Sequence, residues 1–251
     1  MNVLSLCLCN TPDPRVVEVY WRTGLIIKGR VFVTMAYDLN DDLNIIAELS
    51  AIRYLLENRH VCGHNKAGRG LILRVTCGEI AKLANGESDK AHLSRYAQFL
   101  RTRFVGAAIE VESEDRTWVN EDCFRDTAEL DVEGPVLETI HLGGFGEVEL
   151  TGHAVQRYIE RFEIRPDRAW HKIKEWAPRV TRLGSMPSGW RQAIKYPLGA
   201  SIGITANEEI VLVVVPPHFG HSLPQIVTIY APDEVMRGDL ARLRAKEALA
   251  A

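Results

Sequence analysis

The chain has 251 residues, of which 46% are hydrophobic and 25% charged, a globular composition that excludes a wholly disordered or fibrous protein. The formal net charge of −3 excludes a histone-like polycation. No apolar run approaches the ~20 residues that span a bilayer.

The opening MNVLSLCLCNTP has no basic segment ahead of its short apolar run, so a cytoplasmic location without membrane contact is expected. Cys7, Cys9, Cys62, Cys77 and Cys123 are an odd, sparse set and read as free thiols.

Arg15–Leu25 (RVVEVYWRTGL) alternates and is β-branched, which predicts a strand. Ile26–Tyr37 predicts a second, broken at Lys28-Gly29-Arg30. Leu43, Ile46, Leu49, Ile52, Leu55 and Leu56 recur at helical spacing behind Asp41 and Asp42. GHNKAGRG, 63–70, reads as a glycine-rich loop and LILRVTC, 71–77, as a buried strand. A short helix from Glu79 ends at Asn85-Gly86, a second helix covers Lys90–Thr102, and strands follow at Ala107–Glu114 and Glu147–Thr151. In the second half, helices are predicted at His153–Phe162, with Thr151 as cap, and at Pro166–Trp176. Strands are predicted at 179–183, 192–196, 201–205, 210–216 and 225–230, with a terminal helix after Asp233.

Charge is segregated along the chain. Residues 50–109 sum to +6, residues 110–149 to −11, and residues 151–232 to +4. The acidic stretch reads as a solvated linker or flap, or as a mimic of a phosphate backbone that occupies a basic cleft on a partner. The basic blocks read as scattered surface charge or as nucleic-acid contacts, with Lys66, Arg69, Arg95, Arg101 and Arg103 the candidates. The domain boundary is placed near Glu133-Gly134-Pro135, giving domains at 1–132 and 151–251 with an acidic linker at 133–150.

Cys62-x-His64 carries a metal reading, set against a plain helix end and polar loop; tetrahedral zinc needs about four ligands, and only Cys77 stands nearby. Gly63, Gly68 and Gly70 with Lys66 and Arg69 could cradle a phosphate, although Walker spacing is absent. The sharper pattern is His153-x-x-x-Arg157-x-x-x-Arg161. Successive steps of four residues advance 40°, which places all three groups within about 80° of one helix face. Cations so placed repel one another unless they meet an anion, and phosphate is the natural one. An ordinary amphipathic helix with its arginines paired to Glu160 and Glu163 is the plainer alternative.

Two resemblances follow from these residues. VEVY at 17–20, the AEL helix around Glu48 and LILRVTCGEI at 71–80 resemble the ribonuclease H fold. That resemblance implies a mixed sheet with helices. Its members hold two divalent ions on carboxylates at the end of the first strand, on the first helix and after the fourth strand. Glu48 matches the helix position. The other two fall near Arg22 and Cys77, which cannot serve as hard oxygen ligands, so a domain without metal cofactor is implied.

The HAxxRxxxR helix, a second helix, about four strands and the late VTIY strand, residues 150–232, resemble RelE-type toxin domains. These are two helices on a curved antiparallel sheet that cleave RNA without metal. The resemblance implies His153 as acid or base, Arg157 and Arg161 on the scissile phosphate, and Arg191, Thr228 and Tyr230 completing the site. His218 and His221, in PPHFGH, read as a surface turn or as a second histidine pair.

The sequence therefore points to a two-domain α+β and α/β protein that engages nucleic acid, RNA before DNA, with metal-independent ribonuclease activity as the stronger form. The alternative is a non-catalytic interaction module: an accessory subunit of a nucleoprotein complex, or a phage- or plasmid-encoded inhibitor acting through residues 110–149. A metal-dependent nuclease built on Glu48 is the third reading.

Overall fold

The computed structural model describes residues 2–36, 42–63, 67–112, 117–119, 126–186, 196–207, 209–217, 221–233, 238–243 and 245. Lys66, His64, Arg191, His218 and Cys123 lie outside the described residues. The chain forms two compact units, Met1–Leu137 and Glu138–Ala251.

The first unit is a six-stranded mixed sheet in the order β5-β4-β1-β2-β3-β6. Its strands are β1 (Asn2–Asn10), β2 (Val16–Thr23), β3 (Ile27–Met35), β4 (Leu71–Val75), β5 (Ala108–Val111) and β6 (Asp126–Val132). Helices α1 (Leu43–Glu57), α2 (Gly78–Asn85) and α3 (Gln98–Arg101) complete it. β1 stands near the centre, antiparallel to β2 and parallel to β4. Leu4, Ser5, Leu6 and Cys7 are all buried, as a central strand covered on both faces requires. The sequence reading places no strand here, although Leu4, Leu6 and Leu8 alternate with Ser5, Cys7 and Cys9. The strand at Arg15–Leu25 is thus the second, and those at 26–37, 71–77 and 107–114 become the third, fourth and fifth.

β2 and β3 form a continuous hairpin. Gly29, read as a break, is paired. A side chain there would meet the Asp126 carbonyl oxygen at 2.5 Å and the Trp21 ring at 2.9 Å, so only glycine lets β2, β3 and β6 close up. The turn falls at Gly24, with φ +64°. The expected helix over Lys90–Thr102 is divided into a 3-10 turn at Ala91–Leu93 and the short α3.

The second unit is also six-stranded, in the order β7-β8-β12-β11-β10-β9. Its strands are β7 (Thr139–Leu142), β8 (Gly146–Leu150), β9 (Val180–Ser185), β10 (Ser201–Thr205), β11 (Val211–Val215) and β12 (Gln225–Tyr230). Helices α4 (Gly152–Phe162) and α5 (Pro166–Trp176) lie between β8 and β9. Neighbouring strands are antiparallel except β8 and β12, whose parallel pairing covers only Glu149↔Gln225 and Leu150↔Ile226. Val211, Val213 and Val215 on β11 pack with Ile202, Ile204 and Leu240, so one face of the sheet is covered by the segment 238–243. The acidic stretch is structured as well: it supplies β6 to the first sheet and β7 and β8 to the second.

Candidate functional site

In the first unit the residue with the most perturbed chemistry is Glu48. α1 buries it completely, among Ile45, Leu49 and Ile52. Thr76, just past β4, donates its N–H to Oε1 at 2.6 Å and its hydroxyl to Oε2 at 2.7 Å. The Cys77 N–H donates as well. Burial outweighs these donors and raises the carboxyl to about 7. The strand count set by β1 brings Thr76 and Cys77 to the position after the fourth strand, while β1 itself contains no acid. Among the described residues, no group of three or more His, Cys, Asp or Glu is placed to hold a metal ion. A carboxyl whose two oxygens are held by protein donors, with no second acid on β1, does not fit a two-metal centre. Cys62 is buried, and burial pushes its thiol up to about 11.

Several charges of the basic and acidic blocks are paired within the first unit, two of the arginines with acids of the 110–149 stretch. Arg74 pairs with Glu110 at 3.0 Å and Glu112 at 3.6 Å, and Arg59 pairs with Asp126 at 2.7 Å. Arg103 lies 3.1 Å from Glu57, which Arg53 also meets at 3.3 Å. Lys90 and His92 both bind Asp42. Of the predicted nucleic-acid residues, Arg69 is exposed in the turn between Gly68 and Gly70. Arg95 is half-buried, and Arg101 packs over Gly86, where burial lowers its guanidinium below the ordinary value.

In the second unit, α4 carries His153, Arg157 and Arg161. Thr151 caps it, accepting from the Ala154 N–H at 3.2 Å, as expected. The Thr151 hydroxyl also donates to the Ile226 carbonyl at 2.8 Å, and at the other end of the helix Arg161 donates to the Ile229 carbonyl. Both ends of α4 are thereby tied to β12, the first at Ile226, the last residue that β8 pairs, and the second beyond it. Arg161 lies 3.4 Å from Thr228 Oγ1 and stacks over the Tyr230 ring at 4.1 Å. The Tyr230 hydroxyl meets that of Tyr196 at 3.1 Å. Burial and this contact hold the Tyr196 phenol above its ordinary value. Arg157 turns to Glu160 at 2.8 Å. His153 is exposed at the first turn, about 12 Å along the axis from Arg161 at 1.5 Å per residue. Arg161, Thr228 and Tyr230 therefore converge, whereas His153 and Arg157 stand apart from them.

A second polar group escaped the sequence reading. Glu149 on β8 has a side chain only 1% exposed. Its Oε2 is 3.0 Å from His221 Nδ1 and accepts from Gln225 Nε2 at 2.8 Å. In the sequence Glu149 looks like one more acid of a solvated run; only the β8–β12 register reveals it as buried.

A separate cleft of about 620 Å³ lies along α1 in the first unit, lined by Ser50, Arg53, Tyr54, Tyr96 and Val132.

No protein-family description matches the chain, and no curated protein matches it. Among solved structures, it is similar to RNase H1 from the halophilic archaeon Halobacterium salinarum NRC-1, at 18% sequence identity and a TM-score of 0.32, over 53% of this chain and 85% of that one.

Proposed function

We propose that this is a nucleic-acid-interacting protein that takes single-stranded RNA on its second unit, where α4 meets β12. The observation that carries the reading is Arg161, fixed over the Tyr230 ring beside Thr228 and Tyr196. A guanidinium held against an aromatic ring offers a base a stacking surface and the backbone a charge in one place. Base stacking on such surfaces contributes about 1–3 kcal/mol per base. The resemblance of residues 150–232 to RelE-type domains favours RNA over DNA. In this reading His153 and Arg157 meet the strand further along α4, and Arg69, exposed in the turn between Gly68 and Gly70, is the candidate contact on the first unit.

The test is fluorescence anisotropy of a labelled twelve-nucleotide RNA with the full-length chain, using single-stranded DNA as competitor. Tyr230→Ala and Arg161→Gln are expected to weaken binding about tenfold or more, in line with the loss of one stacked base. Binding that survives both substitutions in folded protein, or no binding by the unsubstituted chain, would reject the reading.

A further inference from the structure

The β2–β3 hairpin ends in a turn of unusual chemistry. Thr23 pairs with Ile27, which leaves Gly24, Leu25 and Ile26 as the turn. Hairpin turns are ordinarily polar, with glycine, asparagine or aspartate where the backbone is left-handed. Gly24, at φ +64°, meets that need. Leu25, Ile26 and Ile27 are nonetheless 93%, 89% and 59% exposed. They cover no core, so the fold does not require them to be apolar. The last rung with β1 is Leu4↔Thr23, and the first described rung with β6 is at Gly29. Leu25 and Ile26 therefore lie beyond every described rung that holds the hairpin to its neighbours. A side chain at Gly24 would meet no atom within 4 Å, which agrees with a projecting tip.

Two cations sit directly behind this tip. Arg22 and Lys28 are paired across the hairpin, so their side chains share one face of the sheet. From Trp21 to Gly29 the hairpin carries no acid. Arg22 lies 4.8 Å over the Trp118 ring, a contact that leaves its charge in place. At about 3.3 Å per residue, Lys28 stands about 7 Å behind Ile26. The hairpin thus presents aliphatic groups first and positive charge a short step behind. An anionic bilayer surface has the complementary layering, with charged headgroups outside and hydrocarbon beneath. The apolar side of a peripheral element enters it by about 5–10 Å, which matches the spacing between tip and cations.

We propose that the tip formed by Leu25, Ile26 and Ile27 docks on an anionic phospholipid bilayer, with its aliphatic groups at the hydrocarbon boundary and Arg22 and Lys28 on headgroup phosphates. This is independent of the RNA reading above. Three side chains by themselves fall short of the ~800 Å² per partner of a specific protein interface, so a folded partner or a second copy of the chain gains little from them. Aliphatic groups offer no flat face on which a base can stack, which sets the tip apart from Arg161 and Tyr230. A bilayer requires neither: a small apolar element and a few cations contribute together to binding. The contact is peripheral, since no helix among the described residues is long and apolar enough to cross a membrane. The opening residues and the length of apolar runs, on which the expectation of no membrane contact rests, do not bear on so short a tip.

The full-length chain is sedimented with vesicles of phosphatidylcholine alone and with vesicles of equal parts phosphatidylcholine and phosphatidylserine. It is expected to sediment with the anionic vesicles and to stay in solution with the neutral ones. Leu25→Ser combined with Ile26→Ser is expected to weaken binding to anionic vesicles at least tenfold, because two aliphatic side chains no longer leave water. Lys28→Gln is expected to weaken it about fivefold, the effect of one cation at an anionic surface, and added salt should act in the same direction. Leu198→Ser, which removes an exposed aliphatic group from the second unit, is expected to change nothing. Thermal melting establishes that each variant is folded; should the double variant fail to fold, Ile26→Ser alone replaces it. Absence of sedimentation with anionic vesicles overturns the proposal, as does equal sedimentation with both kinds. Anionic-vesicle binding that survives the tip substitutions in folded protein also overturns it. Tip variants that weaken RNA binding but not vesicle binding overturn it as well, and make the tip a nucleic-acid contact.

Discussion

Glu48 and Thr76 are joined twice, the threonine N–H serving one carboxylate oxygen at 2.6 Å and its hydroxyl the other at 2.7 Å. The pair ties α1 to the end of β4 in the interior of the first unit. An acid raised from 4.5 to about 7 on folding favours the native state in its protonated form. Its stabilisation is complete below pH 4.5 and is lost as pH rises through 7. The shift corresponds to about 3 kcal/mol across that window.

Urea unfolding at pH 5 and pH 8 checks this. Glu48→Gln is expected to remove most of the difference, since an amide keeps an acceptor for the Thr76 N–H and has no charge to bury. Glu48→Ala is expected to cost about 1–3 kcal/mol at both values, because the Thr76 donors lose their acceptor. A Glu48→Gln protein whose stability falls with pH as steeply as the unsubstituted chain would place the titrating group elsewhere.

Two glycines of the β2–β3 hairpin separate close packing from backbone conformation. Gly29→Ala places a methyl 2.5 Å from the Asp126 carbonyl, a backbone atom. The sheet has to shift, at a cost of about 1–3 kcal/mol or more. Gly24 has φ +64° and open space around it, so Gly24→Ala costs only the left-handed conformation, about 1–2 kcal/mol. Denaturant midpoints should rank Gly29→Ala below Gly24→Ala. The reverse order would mean that β6 does not approach β3 this closely.

How far these features were legible in the sequence follows from what pattern can carry. α1, α4 and α5 show helical periodicity with matching start signals, so their positions could be read. β1 was not read, although Leu4, Leu6 and Leu8 alternate with Ser5, Cys7 and Cys9, because a short apolar opening segment is weighed first as a targeting signal. β6 was not either, because Asp126, Glu129 and Asp131 on an edge strand resemble a solvated linker. The VTIY alternation placed Thr228 and Tyr230 on one face, whereas Arg161 was joined to them only by the resemblance to RelE-type domains. The face shared by Gln225 and Thr228 was not legible, because a bulge inverts the parity on which strand reading depends.

Salt dependence separates a working cation from neutralised ones. Each phosphate contact on a single strand adds about −0.7 to the slope of log K against log salt. Arg161→Gln is expected to make the RNA-binding slope shallower by about 0.7, one contact. Arg74→Gln is expected to leave the slope unchanged, since Glu110 and Glu112 already face that guanidinium. Equal changes for both variants would mean that the first unit binds RNA through its paired arginines.

The position of Arg161 depends on a residue ten places earlier. Thr151 Oγ1 accepts from the Ala154 N–H and donates to the Ile226 carbonyl, so it both starts α4 and fixes the helix to β12. Thr151→Ala removes the cap and the tether together. Caps of this kind contribute about 0.5–2 kcal/mol. Thr151→Ser retains the hydroxyl and should behave like the unsubstituted chain in both melting temperature and RNA affinity. Thr151→Ala should lower the melting temperature and, at temperatures where the protein remains folded, weaken RNA binding, because α4 loses its register against Tyr230. If Thr151→Ala lowers stability but leaves affinity intact, α4 is held to β12 by Arg161 and core packing alone, and the threonine acts only as a cap.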